Sequence, residues 1–76
     1  MTPDTIIHLG RARAAHDQAV ARHAAARKAC LDAIYDSDAP APDFHQLLEE
    51  VHRERHTLDI TTLALRIAEA RAQEAK

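Results

Sequence analysis

The chain has 76 residues, ten Lys and Arg against twelve Asp and Glu, and a formal charge of −2. That length allows a single domain, and the near-neutral balance argues against strong nonspecific nucleic-acid binding. Hydrophobic residues make up 46% of the chain, but 17 of these 35 are Ala and only 14 are Ile, Leu or Val, with one Phe, one Tyr and no Trp. Alanine buries little area, so a lone chain of this size has a thin core. One cysteine, Cys30, excludes an intrachain disulfide. There is no run of the ~20 apolar residues that a membrane span needs. Met1-Thr2-Pro3-Asp4 has neither the basic start nor the apolar run of a signal peptide. A cytoplasmic chain with a reduced Cys30 is therefore expected, with no membrane association.

The first predicted element is a helix over about 3–35. Thr2 suits its N-cap, Pro3 the first helical position and Asp4 the positive end of the helix dipole. Gly10 is a weak point inside it. The stretch Asp36-Ser37-Asp38-Ala39-Pro40-Ala41-Pro42 predicts a turn over about 36–42, because short polar side chains bond back to the backbone and the prolines cannot continue a helix. Asp43, with Gln46 three residues on, predicts a capped second helix over about 43–73. Strand alternation is absent. Two helices of ~50 Å joined by a short link must run antiparallel, so the fold class is all-α, a coiled-coil-like two-helix hairpin.

Hydrophobic spacing supplies the seam. In helix 2, Phe44, Val51, Leu58, Leu65 and Ala72 recur every seven residues, with Leu47, Glu54, Thr61 and Ala68 as companions. In helix 1, the sequence suggests Ile6, Arg13, Val20, Arg27 and Ile34 as one ladder and Leu9, His16, His23 and Cys30 as the other. Such three-four alternation makes a coiled-coil stripe. On this reading the arginine stems snorkel out of the seam and the histidines are hydrogen-bonded within it, with Arg27 near Glu50 or Glu54 and Arg13 near Glu69.

Helix 2 carries a second stripe: His45, Glu49, His52 and His56, then Ile60, Leu63 and Ile67. Its aliphatic half has nothing to cover it in a lone hairpin, and such stripes mark association. The expected association core is Leu58, Ile60, Leu63, Leu65 and Ile67, with Phe44 and Val51 closing the turn end. A second copy would complete a four-helix bundle; a heterologous helix would pack the same way.

Other chemistry is thinly supported. His52-x-x-x-His56 places two imidazoles on adjacent turns, with Glu49 one turn earlier, but two or three ligands from one helix are an incomplete metal site. No cofactor is expected. Cys30 lacks a nearby base, Ser37 lacks an oxyanion-hole loop and no glycine-rich phosphate motif exists, so enzymatic activity is not expected. Helix 1 presents Arg11, Gln18, Arg22 and Lys28 as a basic outer side with no aromatic residue to stack bases.

In hairpin shape and heptads, though not in any motif, the architecture resembles the Rop-type plasmid RNA-binding bundle. That resemblance implies a homodimer with RNA on outward residues of the first helices, and no functional residue carries over. The proline-containing turn loosely resembles that of small secretion chaperones, and the size is that of phage or plasmid accessory proteins. The reading is a non-enzymatic interaction or regulatory module that binds a protein partner, itself included, by helix packing. RNA binding by the basic side is the second reading.

Overall fold

A computed structural model describes residues 2–35 and 44–74, and two helices account for nearly all of them. Helix α1 spans Pro3–Tyr35 and helix α2 spans Phe44–Glu74. The expected turn over about 36–42 and the cap at Asp43 lie outside the described residues.

The start of α1 follows its sequence. Thr2 Oγ1 accepts a hydrogen bond from the Thr5 backbone N–H at 3.3 Å and lies 2.8 Å from the Thr5 hydroxyl, while the Thr2 carbonyl accepts from the Ile6 N–H at 3.2 Å. Thr2 is thus the N-cap, Pro3 costs no hydrogen bond at the first helical position, and Asp4 sits against the helix dipole. Arg71 occupies the last turn of α2, where a cation is favoured. Gly10 takes ordinary helical geometry, and a Cβ built there would meet nothing within 4 Å. Its helix penalty of ~1 kcal/mol relative to Ala therefore serves no contact inside the hairpin.

The helices pack antiparallel into a rod with Cα extents of 57 × 15 × 14 Å. Thr5, His8 and Ala12 lie beside Ala64, Ile67, Ala68 and Arg71, and further along Arg22, Ala25, Ala26 and Ala29 lie beside Glu50 and Glu54. The α2 side of the seam is the expected one except at its start, where Phe44 is exposed: Leu47, Val51, Glu54, Leu58, Thr61, Leu65 and Ala68 are half-buried and Ala72 is buried. Thr61 is accommodated there because its hydroxyl donates to the Leu58 carbonyl at 3.0 Å.

The α1 side differs from expectation by one position. Leu9, His16, His23 and Cys30 do face α2, but their companions are Thr5, Ala12, Ala19, Ala26 and Ala33. Ala19 and Ala26 are the buried residues of this helix. The expected ladder Ile6, Arg13, Val20, Arg27 and Ile34 is exposed throughout. Either ladder gives three-four alternation with Leu9, so spacing alone does not separate them. Two arginines on one stripe do, because an unpaired seam arginine carries a desolvation cost that an alanine avoids. Alanine also brings the helix axes closer, which recovers contact area that larger side chains supply elsewhere.

Candidate interaction surfaces

The described core consists of three buried alanines: Ala19, Ala26 and Ala72. The large apolar side chains are mostly outside it. On α2, Ile60 is 54% exposed, Leu63 61% and Ile67 46%, so the stripe expected from the sequence lies on the surface. Leu58, Leu65 and Val51, the seam members of the expected association core, face α1 and are half-buried, as their spacing predicts. The set thus occupies two sides of one helix, as the two sequence stripes require. Phe44 stands at the start of α2, 42% exposed.

A second exposed edge, with Ile6, Val20, Leu31 and Ile34 among charged and small residues, runs along α1 beside the seam. Ile6, Gly10, Arg13, Asp17, Val20, Ala24, Arg27, Leu31 and Ile34 repeat with strict four-three spacing, and all are exposed. Its signal in the sequence is the Ile-Arg-Val-Arg-Ile ladder once that ladder is assigned outward. Near one end, Arg27, Cys30 and Leu31 meet Leu48 and Val51 of α2 in a shallow groove. Cys30 is free and half-buried there. On the opposite side, Ala12, Ala64, Ala68 and Ile67 floor an open groove of roughly 320 Å³ rimmed by Thr5, His8 and Arg71. That volume is at the bottom of the range for small-molecule pockets, and alanines give it little depth.

The polar surfaces are organised within each helix. Lys28 Nζ donates to Asp32 Oδ2 at 2.8 Å, which raises the Lys28 pKa above its ordinary 10.5 through the hydrogen bond first and the carboxylate's charge second. Arg55 pairs with Asp59 at 3.3 Å and Arg53 with Glu50 at 3.1 Å. The groove beside Glu50 and Glu54 is lined by Arg22, the residue five positions before the expected Arg27. His16, in the seam, has its Nδ1 3.9 Å from Asp17 Oδ1, too long for a hydrogen bond.

Of the remaining candidates, Arg11, Gln18, Arg22 and Lys28 are exposed on α1, but Lys28 is committed to Asp32 and Arg22 lies beside two glutamates. His52, His56 and Glu49 are exposed on α2, and Glu49 Oε1 lies 3.0 Å from His45 Nε2. Among the described residues no group of three or more His, Cys, Asp or Glu side chains could hold a metal ion. No described helix is long and apolar enough to cross a membrane. Comparison with known proteins finds no matching family model, no matching curated protein and no matching solved structure.

Proposed function

We propose that the chain is a non-enzymatic interaction module that binds a protein partner by helix packing, a second copy of itself included, so that two hairpins form a four-helix bundle. One observation carries the reading: alanines fill the core while Ile6, Val20, Ile34, Ile60, Leu63 and Ile67 stand 45% or more exposed. The area agrees. A compact monomer of 8.4 kDa exposes about 4,600 Å². This chain exposes 5907 Å², an excess of roughly 1,300 Å² that its rod shape leaves on the surface.

Sedimentation equilibrium tests this, with mass expected to rise above that of one chain from low to high micromolar concentration. Ile60→Glu with Leu63→Glu challenges the α2 stripe, and Ile6→Glu with Val20→Glu challenges the α1 edge. At least one pair is expected to abolish association. A single-chain mass for the parent protein at every concentration refutes self-pairing, and loss of association with neither pair refutes helix packing through these edges.

A further inference from the structure

We infer that the exposed edge of α1 is the self-pairing surface, and that it meets the same edge of a second copy in antiparallel register about a two-fold axis at Val20. The inference rests on the reading of the chain as a self-associating module and names the face it uses.

A two-fold interface requires a surface that complements itself. The α1 edge has that form. Ile6 and Ile34 lie fourteen residues either side of Val20, and Arg13 and Arg27 lie seven either side. Turning one copy around Val20 brings Ile6 opposite the Ile34 of the other copy, Val20 opposite its own equivalent, and Gly10 to within one residue of level with Leu31. In no other antiparallel register do both isoleucines of this ladder find an isoleucine across the interface.

Gly10 supplies a separate argument. Inside the hairpin a Cβ at this position meets nothing within 4 Å, so the glycine is not there to admit α2. In the proposed register it is the hole that receives Leu31, which stands 47% exposed in the single chain. A small residue facing a large one is the complementarity that knobs and holes require.

Charge is the third argument. Arg13 and Arg27 would face each other across the interface, which alone is repulsive. Asp17 is one helical turn after Arg13 on the same edge, and in this register it also falls within a turn of the Arg27 opposite. Its side chain is 85% exposed in the single chain, with His16 Nδ1 3.9 Å away. Each Asp17 thus joins an arginine of its own copy to one of the other copy, twice by symmetry, through charge-assisted hydrogen bonds. The corresponding edge of α2 reads Leu48, His52, Arg55, Asp59, Thr62, Arg66 and Glu69, polar beyond its first residue, which leaves the stripe of Ile60, Leu63 and Ile67 as the competing surface on that helix.

Cysteine cross-linking in a Cys30→Ala background of the full chain tests the register, with helicity checked by circular dichroism. Val20→Cys, on the axis, is expected to give a disulfide-linked dimer under mild oxidation. Ile6→Cys mixed with Ile34→Cys is expected to cross-link, while Ile6→Cys alone is not. A dimer that cross-links through Leu63→Cys but not Val20→Cys overturns the inference and leaves the interaction reading standing. Self-linking by Ile6→Cys shows parallel pairing and overturns the register. A parent chain that sediments as a single copy brings down the inference and the self-association reading together.

Discussion

At the residue scale, Gly10 is a cost that the single hairpin does not need. It lies inside α1 with open space where a Cβ would go. Gly10→Ala is therefore expected to stabilise the unassociated chain by ~1 kcal/mol, a rise of roughly 4–8 °C in melting midpoint for a domain of this size. Thermal melts by circular dichroism at dilutions where the chain is single check this; an unchanged or lower midpoint contradicts the open geometry. The Lys28–Asp32 pair gives the opposite kind of expectation. Lys28 has a folded pKa raised above 10.5 by Asp32, so its contribution is present below the unfolded value and fades as pH rises through the folded one. Both side chains are mostly exposed, at 77% and 65%, and solvent screens such pairs. Asp32→Asn is expected to leave the midpoint at neutral pH nearly unchanged, and to remove only a small alkaline decline. A large loss at neutral pH would show that the pair holds the helix.

At the scale of the element, the two helices differ in how legible they are. In α2 the sequence places Val51, Leu58, Leu65 and Ala72 in the seam and Ile60, Leu63 and Ile67 outside, and the structure agrees. Large and small apolar residues there sit on ladders that periodicity separates. In α1 the seam is built on Ala19 and Ala26 while Val20 and Ile34 face outward. A reading that equates hydrophobic size with burial moves that ladder by one residue. What it misses is that a close helix approach selects small residues, and that Arg13 and Arg27 mark their stripe as external. The consequence is testable. Ala19 is 2% exposed, so Ala19→Leu adds bulk to a site that is already filled and is expected to destabilise the chain by about 1–3 kcal/mol despite its added hydrophobicity. Val20→Ala, one residue away, is expected to cost far less in the dilute single chain. Urea denaturation of the two variants decides it: if Ala19→Leu is the more stable, the seam is Val20's and not Ala19's.

At the scale of the whole molecule, the hairpin is a rod 57 Å long, and the described residues include no third element to cover its sides. Long isolated helices gain little from propensity alone, and most of their stability comes from packing an apolar face. Here the seam packs alanines, half-buried histidines and Glu54 with Leu9, Leu47, Val51, Leu58 and Leu65, while most of the remaining large aliphatic residues stand on two outer edges. If two hairpins pair as proposed, stability and association are the same equilibrium, because burying those edges adds contact area. Anything that binds the folded chain and not the unfolded one raises the midpoint with its concentration. For a self-pairing hairpin the binding species is the chain itself, so the melting midpoint is expected to climb steadily as protein concentration increases. In the Val20→Glu variant, which would set two carboxylates against each other at the axis, the midpoint is expected to be lower and independent of concentration. Differential scanning calorimetry across a dilution series measures both. A parent midpoint that does not move with concentration means that the alanine seam is sufficient by itself, and that the exposed edges serve a partner other than a second copy.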